Sequence, residues 1–215
     1  MYGESYDFKG GLFLSIYDLS RRYARFCLEG VPGGLLHHFL YHLGREYGSS
    51  VSAWEDGTRS VDFLVGERLS TREWMKQLRG REVDWNRLPT NRPNGRDHYV
   101  CYARGLWSMP VYAEYAYRAF ELPAFEYRHV MEQIQVALRD EEYPEVIVYF
   151  EAEGKKSPLA PRSFNMLKSI YEQWLSDMSK RGVEVYRVPS MLSHGWEYRL
   201  IEELERICPQ PPCTL

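Results

Sequence analysis

An α/β fold, with a mainly parallel sheet covered by helices on both faces, is predicted by three features of this chain. Strand-like and helix-like segments alternate along most of its 215 residues. The first strand and helix are joined by a glycine turn, Gly30-Val31-Pro32-Gly33-Gly34. Glu145 to Phe150 (EVIVYF) is a continuous apolar run, the pattern of a strand buried on both sides.

The elements follow in order. Residues 1–22 form an N-terminal arm, in which 11–22 reads as a short amphipathic helix. Tyr23 to Glu29 reads as a strand running into the turn. Leu35 to Tyr47 reads as a helix, because Leu36, Phe39, Leu40 and Leu43 recur at helical spacing. Ser50 to Ala53 is a short strand. Residues 55–97 are polar and weakly patterned, with a helix predicted over 70–79 and a loop over 90–97 from its Asn, Pro and Gly. His98 to Ala103 is a strand, followed by helices over Pro110–Phe120 and Pro123–Asp140. After the run ending at Phe150 come a long helix over Ser163–Arg181, a strand over Val183–Val188 and an amphipathic helix over Trp196–Ile207. Residues 208–215 are a proline-rich tail that cannot extend that helix. The reading is one domain over 23–207, with about five strands.

Composition narrows the function. Hydrophobic residues at 44% and charged residues at 27% are globular values. A net charge of −3 gives no global basic field, which argues against a nucleic-acid partner. The four cysteines form no CxxC pair and have no histidine at zinc spacing. Cys27 and Cys101 lie in apolar runs and read as buried thiols, while Cys208 and Cys213 flank the proline-rich tail. No apolar run reaches the ~18 residues of a membrane span. Glu4 and Asp7 precede the first apolar stretch, where a secretory signal has basic residues. A soluble intracellular protein is favoured; Arg21, Arg22 and Arg25 after an amphipathic stretch keep a mitochondrial address open.

The glycine turn sits where a phosphate-binding loop of the form GxxxxGKS would sit. In such a loop, backbone N–H groups wrap phosphate, the lysine neutralises it and the hydroxyl holds Mg²⁺. Gly30 matches the first glycine, with Gly33 and Gly34 inside the turn, but Leu36 replaces the lysine and His37 the hydroxyl residue. Leucine cannot neutralise phosphate, and a neutral imidazole is a poor Mg²⁺ ligand. An ordinary strand-to-helix turn explains the glycines equally well when the turn is taken alone.

Four more segments fall in the order and spacing of the deoxynucleoside kinases. Gly48-Ser49-Ser50-Val51-Ser52-Ala53-Trp54 stands where that family has PEPVxxW. Ala103-Arg104-Gly105-Leu106-Trp107-Ser108-Met109-Pro110-Val111-Tyr112 stands where it has ERSxxSDRYxF. Val148-Tyr149-Phe150-Glu151-Ala152 resembles its YLxASP strand end, and Phe164 to Leu175 resembles its LxxLHxxHExWL helix. Over residues 23–207 the chain therefore resembles a deoxynucleoside kinase, which implies a P-loop-kinase-like sheet and, in an intact member, phosphoryl transfer from ATP to a deoxynucleoside.

The departures from the family fall on its chemistry. Ser49 stands at the family's catalytic glutamate, and a lone hydroxyl cannot take a proton from a sugar hydroxyl near neutral pH. Ala103 replaces the glutamate of ERS, although Arg104 keeps its arginine, and Met109-Pro110 replaces the following Asp-Arg. The arginine-rich lid shortens to residues 153–162, with two lysines and one arginine. The resemblance thus implies a catalytically degenerate member without a cofactor. Such a member would be a structural or interaction subunit, a homodimer or part of a larger assembly. A respiratory complex I accessory subunit carries this fold without kinase work, and a repurposed viral relative is equally compatible. The alternatives are an active kinase with an aberrant phosphate site, or a module that binds a nucleoside or nucleotide without turnover.

Two other patterns bear on partners. The helices over 111–133 carry Tyr112, Tyr115, Phe120 and Tyr127 with Arg118 and Arg128 between them, a mixture that fits either a protein interface or core. His38 and His42 share a helical face at chelating spacing, but surface or packing histidines are the commoner reading. The basic residues Arg79, Arg81, Arg87, Arg92 and Arg96 are interleaved with acids and read as a solvated irregular segment.

Overall fold

The computed structural model describes residues 26–32, 35–47, 51–55, 68–86, 99–120, 122–139, 141, 143–144, 146–190 and 195–200. The expectations for the arm, the tail, Cys208 and Cys213 lie outside these residues.

Five strands alternate with helices. They are β1 (Phe26–Gly30), β2 (Val51–Glu55), β3 (Tyr99–Ala103), β4 (Val146–Phe150) and β5 (Glu184–Val188). The helices are α1 (Leu36–Tyr47), α2 (Thr71–Asn86), α3 (Met109–Ala119), α4 (Ala124–Leu138) and α5 (Pro161–Lys180), with a helical turn over 196–200. The strands form one sheet in the order β2-β3-β1-β4-β5, and every pairing is parallel. β1 leads leftward to β2, whereas its neighbour β4 leads rightward to β5. Between them lies the point at which parallel sheets open a crevice at their carboxyl ends.

Side-chain alternation assigns the two faces. Cys27, Ile147 and Tyr149 join the core built with α2 to α5. Phe150 points the other way, to Phe39 of α1 at 5.6 Å and Trp196 at 6.4 Å between ring centroids. β4 is buried at every position, as its unbroken apolar run requires. Glu29, two residues along from Cys27, therefore faces the layer of α2 to α5.

Boundaries moved modestly from the sequence reading, with one exception. α2 extends to Asn86, seven residues past the expected end. Trp74, Leu78 and Arg81 recur at helical spacing and all three are buried, so packing holds a helix that its polar composition conceals. Ser70 and Glu73 close its first turn reciprocally: the Ser70 N–H donates to Glu73 at 2.7 Å, and the Glu73 N–H to Ser70 Oγ at 3.3 Å. Arg81 is thus a core residue, which corrects its reading as part of a solvated irregular segment.

In α5, Phe164, Leu167, Ile170, Tyr171, Trp174, Leu175 and Met178 form the buried stripe. The Trp174 indole meets Tyr171 edge-on at 6.0 Å. Replacing Trp174 with alanine is expected to cost ~3–5 kcal/mol, as large-to-small aromatic changes in a core do. Urea unfolding measures this; a loss under ~1 kcal/mol would show that the ring contributes little to the core.

Candidate functional site

The carboxyl ends of β1 and β3 hold an ionised and hydroxyl-bearing cluster inside the protein. Glu29 is the last residue before Gly30, and none of it is exposed. The Tyr171 hydroxyl donates to its Oε2 at 3.2 Å, and the Tyr112 and Tyr171 hydroxyls lie 2.6 Å apart. Burial drives the Glu29 carboxyl up from the ordinary range to about 8. The Arg104 charge opposes this most, followed by the Ser108 and Tyr171 hydroxyls and the Gly105 backbone. Near neutral pH, Glu29 is therefore largely a carboxylic acid. Burial also holds the Tyr112 phenol up at about 12 and pushes the Tyr171 phenol well above its usual range.

Arg104 closes the cluster. It is 4% exposed and has φ 53°, a left-handed backbone that a side-chain-bearing residue adopts at a cost. Its N–H donates to the Leu28 carbonyl at 3.0 Å, continuing the ladder between β1 and β3. Its side chain then turns back across β1. Nε donates to the Gly30 carbonyl at 3.1 Å, and Nη1 lies 3.4 Å from His37 Nε2 in the first turn of α1. Arg81 Nε donates to the Arg104 carbonyl at 3.3 Å, and its Nη1 to Gln77 Oε1 at 2.7 Å. Arg104 Nη2 and Glu29 Oε1 are buried without a hydrogen-bond partner among the described residues. Buried polar atoms of this kind mark a site that needs an explanation.

Of the turn residues read from the sequence, Gly30, Leu36 and His37 fall beside this cluster. Gly33, Gly34 and Ser49 lie outside the described residues. Leu36 is 1% exposed and belongs to the core, while His37 is exposed. Gly30 has a packing reason to be glycine: a Cβ there would stand 2.6 Å from the Phe150 carbonyl oxygen of β4. At the start of the segment read as a shortened lid, the Glu151 N–H donates to the Val188 carbonyl at 2.8 Å and Gly154 is set closely against Phe164.

The interface reading is corrected at two positions. Tyr112 and Tyr115 are buried, with Tyr112 meeting Tyr171 of α5 edge-on at 6.1 Å, so neither presents a surface to a partner. Phe120 and Tyr127 are half-buried: Phe120 packs edge-on to Tyr115, and Tyr127 stacks on Tyr117 at 4.4 Å. Arg118 is exposed but paired with Glu114 at 2.6 Å, and Arg128 is exposed with Nε donating to the Ala124 carbonyl at 3.3 Å. Of the two histidines at chelating spacing, His38 pairs with Glu197 at 2.6 Å and His42 meets the Tyr198 ring edge-on at 5.0 Å. Among the described residues, no group of three or more His, Cys, Asp or Glu is placed to hold a metal ion, and no helix is long and apolar enough to cross a membrane.

Sequence reasoning gave Glu29, Gln77 and Tyr171 no role here and read Arg81 as solvated. Glu29 carried a signal all the same, since it is an acid inside a strand whose neighbours are apolar. Tyr171 carried none, because a tyrosine in an apolar helical stripe looks the same with or without a hydroxyl partner.

No family model matches this chain, and no curated protein matches it. Solved structures do. A deoxyadenosine kinase from M. mycoides aligns with a TM-score of 0.63 at 10% identity, over 83% of this chain and 97% of that one. A thymidylate kinase from Candida albicans aligns with a TM-score of 0.58 at 11% identity, over 85% and 91% of the two chains. A NadR protein in complex with NR aligns with a TM-score of 0.58 at 13% identity, over 88% of this chain and 53% of that one. The fold is therefore that of the deoxynucleoside-kinase-like P-loop kinases.

Gly30→Ala separates a phosphate glycine from a packing glycine. It is expected to destabilise the ligand-free protein by ~1–3 kcal/mol, the usual cost of overpacking. Thermal or urea unfolding without nucleotide checks this, and unchanged stability would return Gly30 to a role in ligand binding alone.

Proposed function

We propose that this chain is a catalytically degenerate deoxynucleoside-kinase fold that serves as a structural or interaction subunit. The observation that carries the reading is Leu36. At the position of the phosphate-binding lysine stands a side chain that is apolar and also packed into the core. Arg104, the arginine of the ERS-like segment, is turned inward onto Gly30 and His37. Phosphoryl transfer consists almost wholly of positioning and charge stabilisation, so a site without its lysine and base has little left to work with.

The outer face of α4 supports the interaction role. Phe125 is 66% exposed and Val136 53%, and Arg128 and His129 share that side of the helix. Apolar side chains among charges are the composition of a mixed interface. Arg118, held by Glu114, is a weaker contributor than Arg128.

A second reading, a nucleoside or nucleotide ligand bound without turnover, is favoured by Arg104 Nη2, which is buried and without a hydrogen-bond partner among the described residues at the carboxyl end of the sheet. Calorimetric titration with deoxynucleosides and their phosphates distinguishes the readings: saturable binding supports the second, and no heat supports the first.

With ATP, Mg²⁺ and each of the four deoxynucleosides, turnover is expected to stay below ~10⁻² s⁻¹, against ~1–10³ s⁻¹ for ordinary enzymes. Faster turnover that is lost on mutating Arg104 would overturn the proposal. Leu36→Lys with His37→Ser is expected to leave phosphotransfer absent and to lower stability, because the new ammonium enters the core. Light scattering and native pull-down test the assembly. A complex weakened by Arg128→Glu without loss of fold is the expected result, and a lone ~25 kDa species with nothing co-purifying would put the ligand reading ahead.

A further inference from the structure

We propose that Ser157 is a phosphorylation site for a proline-directed serine kinase, and that its phosphate is received by the basic residues on either side of it. The inference goes beyond the assembly and ligand readings and depends on neither.

Ser157-Pro158 is the only serine or threonine in the chain that is followed by proline. The pair has a chemical meaning, because proline carries no backbone N–H. A kinase with an apolar pocket just beyond the acceptor serine takes proline there. It rejects other residues, whose amide would be left unpaired. Pro158 also biases Ser157 toward extended backbone, the form in which a segment lies in another protein's groove.

The fold presents this pair between β4 and α5, outside any helix or strand. Before it, the Lys156 N–H closes a turn onto the Glu153 carbonyl at 2.9 Å, and after it Leu159 packs against the core. The pair is thus held between two fixed points, and engaging it opens no helix or strand. Pro158 is exposed and Ser157 half-buried. Ser157 Oγ accepts the Leu159 N–H at 3.2 Å, and among the described residues its own proton has no acceptor. In the transfer, Oγ attacks the γ-phosphorus of the Mg·ATP held by the modifying kinase. The bond from that phosphorus to the β–γ bridging oxygen breaks, ADP leaves with the electron pair, and the serine proton passes to the kinase's base.

The charges around Ser157 suit the product. Lys155 and Lys156 precede it, and Arg162 follows in the first turn of α5. Glu153 is the one acid within 153–162. Its carboxylate is already engaged, by Lys156 at 3.4 Å and by the Ser190 hydroxyl at 3.4 Å. The first turn of α5 contains no acid that would repel a phosphate. A phosphoserine of about −1.5 to −2 charge therefore meets a local excess of positive charge, where it gains charge-assisted hydrogen bonds.

The test incubates the full chain with a purified cyclin-dependent kinase and Mg·ATP, and maps the phosphate by peptide mass spectrometry. The expected result is phosphate on Ser157, with kcat/KM within about tenfold of that for a free peptide of residues 151–163, since no structure has to open first. Ser157→Ala and Pro158→Ala are each expected to abolish incorporation. No incorporation into the full chain, a larger loss relative to the peptide, or retained incorporation in either variant would overturn the site. Phosphorus NMR of the modified chain then reads the receiving charges. The second ionisation of the phosphate is expected below the about 6 of ordinary phosphoserine, and to rise in Lys155→Ala with Arg162→Ala. An unchanged titration in that double variant overturns the part given to the basic residues.

Discussion

The site depends on how Arg104 closes the end of the sheet. β1 and β3 run parallel with Leu28 opposite Ala103, and the ladder would end there. A left-handed backbone at Arg104 adds one more rung, to Leu28, and sends the side chain back over β1 instead of onward into the next helix. That conformation costs on the order of 1–3 kcal/mol for a residue with a side chain. Its own ladder bond, the bond to Gly30 and the bond from Arg81 offset the cost. Three parts of the chain far apart in sequence, the β1 turn, α2 and the end of β3, meet at this one residue.

The buried acid and the buried arginine explain each other. An isolated ionised carboxylate in this interior would be strongly disfavoured, so Glu29 responds by holding its proton. An isolated guanidinium cannot respond in that way, since it does not lose its charge within any ordinary pH. Arg104 must therefore be solvated by protein acceptors, and the Gly30 carbonyl and His37 fill that role. The hydroxyls of Tyr171 and Tyr112 extend the polar network into the helical layer, where α3 and α5 pack together around them.

The sheet was legible in the sequence because its signals are local. Alternation of short apolar runs with amphipathic stretches located all five strands, and the unbroken run at 146–150 marked β4 as an interior strand. The second half of α2 was not legible, since Arg81 and Gln77 look like surface residues until Trp74 and Leu78 are seen to share their face. Hydropathy assigns a side chain to water by its charge, whereas Arg81 enters the core because the Arg104 carbonyl and Gln77 supply its acceptors. The same blindness placed Tyr112 and Tyr115 at an interface. Counting rings cannot tell which side of α3 is already covered by α5. The site was half visible: Gly30, Leu36 and His37 stood out through the spacing of a phosphate loop, and Arg104 through the ERS-like segment. Glu29 and Tyr171 became partners only through a fold that brings residues 142 positions apart within hydrogen-bonding distance.

A phosphate site needs positive charge that is free to meet a ligand, and this chain has drawn its charge inward. Arg104 stands at the carboxyl end of β3, and two of its nitrogens are spent on the β1 turn and α1. Turning it outward to a phosphate would leave the Gly30 carbonyl without its donor. A lysine at the start of α1 could relieve that conflict by serving the ligand itself, but Leu36 occupies the position and faces the core. The same residue therefore cannot keep the sheet end closed and also act as the phosphate clamp. The packing around Gly30 and Phe150 favours the closed role, because a glycine that lets two strands approach is useful with or without a nucleotide above it. What the described residues hold at the carboxyl end of the sheet is the means of keeping β1, β3 and α1 together.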